Sequence, residues 1–282
     1  MTENNGVSFG ARYGPWAFVA GASDGIGEAF AREIAARGVN VVLLARREDV
    51  LERVAASIRE ECEVDTRIVV ADLTASDFET RVAQRTADLE IGLLIYNAGA
   101  VHGAKKFLER PVADAHKLIA LNCTGPVALA HRFGQGMCER GRGGIILLSS
   151  VAALSGSSYI AGYSATKAFD LILAESLWHE LAPQGVQALG AIVGATRTPS
   201  MLESNSSFEA YANIMEPAEV AKGALENLGR GPVWVAGKVN RETVGQLWPA
   251  RRVELINGMS AATADLYQLS HTAVEGQEFQ DT

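Results

Sequence analysis

Tyr163 and Lys167 stand four residues apart in a segment of helical pattern, which places both side chains on one helix face. A tyrosine hydroxyl by itself is a poor acid–base group near neutrality, its ordinary pKa being about 10. An ammonium one turn away stabilises the phenolate and fits the pair for proton transfer. Ser149-Ser150 closes an apolar run upstream, where a hydroxyl can hydrogen-bond a substrate carbonyl. No GxSxG surrounds either serine, so a serine hydrolase is not indicated. A second cluster is Gly21-Ala22-Ser23-Asp24-Gly25-Ile26-Gly27, lying between an apolar run and a helical stretch. Glycines there let the backbone turn tightly and approach a pyrophosphate, whose charge would meet a helix N-terminus. The spacing is not GxGxxG, and an ordinary glycine-rich βα turn would look the same; position after the first strand favours the phosphate role. Asp24 has the wrong charge for phosphate and is expected to face solvent or cap the helix.

These residues need elements to hold them. Short apolar runs at 16–20, 39–44, 67–71, 92–96, 144–149, 186–193 and 232–236 read as strands. Each of the first six is continuously apolar rather than alternating, as expected of parallel strands buried on both faces. Between them lie helical stretches at 28–37, 49–62, 77–89, 112–139, 163–181 and 216–228. Asn122 falls inside the longest of these. Ser150 then ends the fifth strand, at the carboxyl edge where open parallel sheets bind ligands. The repeated β-α units give an α/β fold, a doubly wound parallel sheet in one domain. Residues 1–14 are expected to be an N-terminal extension, 15–240 the catalytic domain and 241–282 a C-terminal extension with a frayed end. Residues 200–212 are expected to be a mobile loop or short helices.

Composition narrows the function. The chain has 282 residues, 48% hydrophobic, and carries a formal net charge of −8. The charge argues against a nucleic-acid partner, and no apolar run is long enough to span a membrane. Its 28 glycines, about a tenth of the chain, exceed the usual ~7% without any three-residue period. They are therefore expected to do local backbone work. Cys62, Cys123 and Cys138 are isolated and expected to be buried, and five scattered histidines lack zinc-site spacing, so no metal is expected. The N-terminus lacks secretory features, and a cytoplasmic protein is expected.

Taken together, these segments resemble the short-chain dehydrogenase/reductase family over roughly residues 15–240. The family's TGxxxGxG corresponds to Ala20-Gly21 through Gly25-Ile26-Gly27, with Ala for Thr, and its NNAG to Tyr96-Asn97-Ala98-Gly99. Asp72-Leu73 matches its adenine-contacting pair. Its PGxxxT segment corresponds to Val193-Gly194-Ala195-Thr196-Arg197-Thr198, without the proline. The glycine loop is similar to that of 17β-hydroxysteroid dehydrogenase and 3-ketoacyl-CoA reductase-like members. The resemblance implies a Rossmann fold and a catalytic set of Asn122, Ser150, Tyr163 and Lys167. Ser150 is preferred to Ser149 because its separation from Tyr163 is the family's usual one. It implies hydride transfer between nicotinamide and a carbonyl or secondary alcohol. Tyr163 would move the proton, Lys167 bind the nicotinamide ribose, Ser150 polarise the carbonyl and Asn122 hold a relay water. Gly21, Ser23, Asp24, Gly25, Ile26, Gly27, Asp72, Leu73, Asn97, Ala98, Gly99, Val193, Gly194, Thr196 and Thr198 would line the dinucleotide, together with Tyr163 and Lys167.

After the second strand an acidic residue would accept ribose hydroxyls, whereas a basic one would meet a 2′-phosphate. Here Ala45 precedes Arg46 and Arg47, so NADP(H) is favoured and NAD(H) remains open. Ser150, Ala152, Tyr163 and Met201 are the expected substrate contacts. Val151–Ser158, Ala195–Ala212 and the surroundings of His102 are the expected substrate wall. In that wall Met201, Leu202 and Phe208 are apolar and Ser204, Asn205, Ser206 and Ser207 polar, and a hydrophobic or medium-sized carbonyl compound (a steroid, acyl or ring ketone) is expected. A homodimer or homotetramer through the helices at 112–139 and 163–181 is implied by the resemblance. The competing class is a non-catalytic dinucleotide-binding redox sensor or scaffold; an epimerase or dehydratase would usually need a longer chain.

Overall fold

The computed structural model describes residues 7–99, 105–204, 213–248, 251–254, 256–258, 261 and 272–277. Seven strands form one sheet: β1 (Trp16–Ala20), β2 (Asn40–Ala45), β3 (Thr66–Val70), β4 (Ile91–Tyr96), β5 (Gly143–Ser150), β6 (Val186–Val193) and β7 (Val233–Val235). Their order is β3-β2-β1-β4-β5-β6-β7, and all neighbours are parallel. The chain winds outward from β1 through β3 and returns to β4 on the other side of β1. Connections therefore diverge between β1 and β4, leaving a crevice at their carboxyl ends.

The apolar runs are continuous because both faces of the sheet are covered. Val41, Leu43, Leu93 and Ile95 face one core, shared with α2 (Gly25–Ala35), α3 (Glu48–Glu61) and α9 (Pro217–Asn227). Their neighbours Val42, Leu44, Leu94 and Tyr96 face the other, shared with α4 (Phe78–Thr86), α6 (Gly125–Arg140) and α7 (Ala161–Leu181). A doubly wound sheet in a single domain is what the strand pattern predicts.

Several expectations need correction. The stretch 112–139 is not one helix: α5 (Val112–Ile119) and α6 are joined by a π-helical turn, Ala120–Thr124, that contains Asn122. Helix α2 starts at Gly25, three residues early, and α7 at Ala161, which puts Tyr163 in its first turn. Asp24 occupies the N-cap of α2 but makes no capping hydrogen bond. The N-terminal segment contains a helix, α1 (Phe9–Tyr13), whose Tyr13 is buried and donates to Gln187 Oε1 on β6. The three cysteines are half-buried rather than buried.

Helix α8 (Pro199–Ser204) follows β6, and α10 (Lys238–Leu247) spans position 240. Arg252 Nε donates to Glu175 Oε1 of α7 at 2.8 Å, tying a C-terminal residue to the main body. His102, residues 205–212 of the expected substrate wall and most of the tail after Trp248 lie outside the described residues.

Candidate active site

The chemistry-bearing side chains gather at the carboxyl edge of β4, β5 and β6. Lys167 is buried in the second turn of α7, where Nζ donates to the Leu148 carbonyl at 2.8 Å and to Asp170 Oδ2 at 2.9 Å. Its remaining side looks toward Gly99, where an added Cβ would lie 3.2 Å from Nζ and 3.5 Å from Asn122 Oδ1. Burial disfavours the ammonium, but the charges of Asp170 and Tyr163 more than offset it, so Lys167 holds its proton above the usual lysine range. Tyr163, one turn earlier, is half-buried.

The two serines divide their work. Ser149 Oγ donates to the Lys167 carbonyl at 2.7 Å and so pins α7 to β5. Ser150 Oγ accepts from the Ala152 amide at 3.2 Å, and its proton remains to be donated elsewhere. Asn122 Nδ2 donates to Thr166 Oγ1 at 2.9 Å, and Thr166 in turn donates to the Tyr163 carbonyl at 3.0 Å. The widened π turn lets Asn122 reach across to α7, and turns of this kind often mark functional positions. Asn122 Oδ1 is buried without a hydrogen-bond partner among the described residues. A buried bare acceptor beside the Lys167 ammonium suits a bound water or ligand hydroxyl.

The glycine loop forms the neighbouring wall. Gly21 is left-handed, with φ 83°, and an added Cβ would lie 2.9 Å from the Ala98 backbone. At Gly27 the Cβ would fall 1.9 Å from the Gly21 carbonyl oxygen. Asn97 Nδ2 donates to that same carbonyl at 3.0 Å, linking the end of β4 to the loop after β1 across the crevice. The Thr198 methyl would meet a Cβ on Gly25 at 2.7 Å, so the segment after β6 closes the opposite side. Gly194 lies against Asn240 of α10, Thr196 Oγ1 donates to the Gly194 carbonyl, and Val193 ends β6. Ile26 packs into the core beneath the loop. Close packing at these glycines beside the N-terminus of α2 suits the approach of an anionic ligand such as a dinucleotide.

At the outer end of the crevice, Ala45 closes β2 and Arg46 is exposed. Arg47 instead bonds Asp24 Oδ2 at 2.7 Å and Ser23 Oγ at 3.3 Å, so it neutralises the carboxylate that sits in the glycine loop. Asp72 Oδ1 accepts from the Thr74 amide and hydroxyl, and these bonds, with Arg46 and Lys117 nearby, hold its carboxyl below the usual range despite some desolvation. Leu73 beside it is buried.

Against Tyr163 opens an apolar cavity of about 260 Å³, lined by Phe107, Leu108, Pro111, Val112, Leu118 and Ile160 among others. The sequence does not indicate this wall, because these residues precede and begin helices whose apolar positions read as core. Ala152 and Met201 are half-buried, and the Met201 amide donates to Thr198 Oγ1 at 3.2 Å. Among the described residues no cluster of three His, Cys, Asp or Glu could hold a metal.

Residues 15–209 match the short chain dehydrogenase family. The chain belongs to that family. It is thus an oxidoreductase working between CH–OH and C=O groups. A 7beta-hydroxysteroid dehydrogenase of Clostridium sardiniense is 32% identical over 251 residues, 89% of this chain and 96% of that one. A solved structure concerned with 7beta-hydroxysteroid dehydrogenase stereoselectivity superposes with a TM-score of 0.81 at 31% identity, covering 90% of this chain and 99% of its own. A short-chain dehydrogenase from Sphingobium yanoikuyae in complex with NADPH gives 0.73 at 28% identity, covering 94% and 99%.

Within this short-chain dehydrogenase, sequence reasoning missed two supports of the candidate catalytic residues, Thr166 and Asp170, and gave Ser149 no role once Ser150 was preferred. Ser149 and Thr166 have no distinguishing spacing, since their role is to join α7 to its neighbours. Asp170 did carry a signal, an acid three residues after Lys167, which reads from sequence as an exposed ion pair.

Proposed function

We propose that this short-chain dehydrogenase transfers hydride between NADP(H) and a hydrophobic ketone or secondary alcohol, a hydroxysteroid being the favoured substrate. The observation that carries it is the buried Lys167 ammonium, held by the Leu148 carbonyl and Asp170 beside Gly99, where an added Cβ would come within 3.2 Å of Nζ. The nicotinamide supplies the hydride when bound. Lys167 binds ribose hydroxyls and favours the tyrosinate, Tyr163 gives or takes the proton, and Ser150 donates to the substrate oxygen. Asn122, with its bare Oδ1, holds the water that relays the proton.

Gly21 through Gly27, Asn97, Ala98 and Gly99 take the pyrophosphate and adjoining ribose, Asp72 and Leu73 the adenine, and Val193 to Thr198 the nicotinamide side. Arg46 takes the 2′-phosphate, while Arg47 screens Asp24 from it. The NADPH complex of the Sphingobium relative and the absence of an acid at Ala45 support NADP(H) over NAD(H). The apolar cavity beside Tyr163 and the hydroxysteroid dehydrogenases among the relatives support the steroid. A catalytic role is favoured over a sensor, which would not need Lys167 buried next to Tyr163.

The exposed stripe of α7, Ala165, Phe169 and Ile172, supports assembly into a homodimer or homotetramer. Three unpaired cysteines support a cytoplasmic setting. KM values for NADPH and NADH in wild type and Arg46→Ala test the cofactor assignment. NADPH KM is expected to be the lower in wild type and to rise about tenfold in the variant, with NADH unaffected. A lower NADH KM in wild type contradicts it.

A further inference from the structure

Helix α7 carries three buried charged residues, Lys167, Asp170 and Glu175; Glu175 pairs with Arg252, and of the other two the proposed chemistry uses only Lys167. Asp170 is 1% exposed, three residues after Lys167 on the sheet-facing side, among apolar neighbours such as Leu171 and Ala174. Oδ2 bonds Nζ of Lys167, and Oδ1 has no hydrogen-bond partner among the described residues. A buried ion pair is not a stability device, since well-packed apolar residues at both positions usually do as well or better. An acid in this position is costly unless the ammonium must be there.

We propose that Asp170 is a positioning residue: its carboxylate is the counter-ion that keeps Lys167 Nζ charged and fixed between the Leu148 carbonyl and Gly99. The proposal rests on the role given to Lys167 above. Leu148 and Asp170 take two of the ammonium's three hydrogens, which leaves one for a ligand on the side of Gly99 and Asn122. The groups facing Asp170 come from three elements. Lys167 lies on α7 and Tyr96 on β4; Cys123 lies in the π turn. Burial first, and then the Asp170 charge, push the Tyr96 phenol well above its usual value and the Cys123 thiol up to about 11. Neither supplies a competing anion, which leaves Lys167 as the partner that neutralises Asp170. Burial also lifts the Asp170 carboxyl to about 6, against the opposing pull of Lys167. Remove the carboxylate, and burial acts on Lys167 with less to oppose it.

The test uses Asp170→Asn and Asp170→Glu in the full chain. NADPH affinity is titrated without substrate from pH 7 to 9, beside the pH profile of alcohol oxidation. Wild type and Asp170→Glu are expected to bind NADPH equally at both ends. Asp170→Asn should weaken by about tenfold per pH unit above the lowered Lys167 pKa, with the alkaline limb of turnover displaced to lower pH. A carboxylate that only aids folding would lower the melting temperature of Asp170→Asn and leave both pH dependences unmoved, which overturns the proposal. Should Asp170→Asn not fold, carbon-13 NMR of labelled lysines in wild type, assigned with Lys167→Met, carries the test. A Lys167 titration above the ordinary ~10.4 supports the counter-ion, and one at or below it overturns it. Because NADPH binding is read without turnover, absence of catalysis in wild type would sink the enzyme assignment alone.

Discussion

Removing the oxygen of Tyr163 separates proton transfer from ligand binding. Tyr163→Phe keeps the ring and its packing, so NADPH affinity should stay within about threefold, while kcat falls a hundred- to ten-thousand-fold. Isothermal titration of NADPH beside steady-state rates checks both halves, and a variant that turns over at the wild-type rate refutes the assignment. Tyr163, Lys167 and Ser150 could be singled out from the sequence because their order and spacing repeat a family pattern. The glycine positions were legible because their physical reason is local: no side chain fits 1.9 Å from the Gly21 carbonyl, as Gly27 would require. Asp170 was not, since burial of a helical acid depends on which face α7 lays on the sheet. Nor was the Arg47–Asp24 pair, which joins the ends of two loops 23 residues apart in sequence.

Among elements, the strands could be read almost residue by residue because burial on both faces confines polar residues to positions near their ends. The join between α5 and α6 was the larger error. Gly125-Pro126 was the available sign: proline lacks an N–H, so it suits the first turn of a new helix and not the interior of a continuous one. Helix α1 is too short for periodicity to show, and its purpose is a long-range contact. Tyr13 packs against Gly144, and its hydroxyl bonds Gln187. Tyr13→Phe leaves that acceptor without its donor and should cost about 1–2 kcal/mol, measurable by urea unfolding at neutral pH. Burial holds the Tyr13 phenol up to about 12, with Arg12 and Arg37 acting the other way. The unfolded chain releases this proton near 10.0, so the contribution is intact below that pH and is lost as the pH rises through about 12. Wild type should therefore lose stability over this range more steeply than Tyr13→Phe; parallel curves would count against the buried phenol.

At the scale of the molecule, the glycine excess and the acidic balance find their places. The excess is explained in part between β1 and β4, where Gly21 and Gly27 let backbone segments close on one another and Gly25 and Gly99 make room for the side chains of Thr198 and Lys167. A net charge of −8 coexists with two exposed arginines after β2; Arg47 pairs with Asp24, which leaves Arg46 for the single phosphate proposed above without favouring nucleic acid. The exposed apolar face of α7 was not legible: the sequence offers Ala168, Leu171, Ala174 and Leu177 as its small and apolar positions, yet Leu171 and Ala174 are buried in the core and the exposed large apolar residues are Phe169 and Ile172. As proposed above, this architecture performs NADP(H)-linked carbonyl chemistry. The most direct measurement is NADPH absorbance at 340 nm with wild-type protein and a panel of steroid, acyl and ring ketones, with product alcohol quantified alongside. The account predicts NADPH loss matched one for one by alcohol, strongest with a ketosteroid. Tight NADPH binding with no ketone reduced and no alcohol oxidised would contradict it, and would make the protein a dinucleotide-binding sensor.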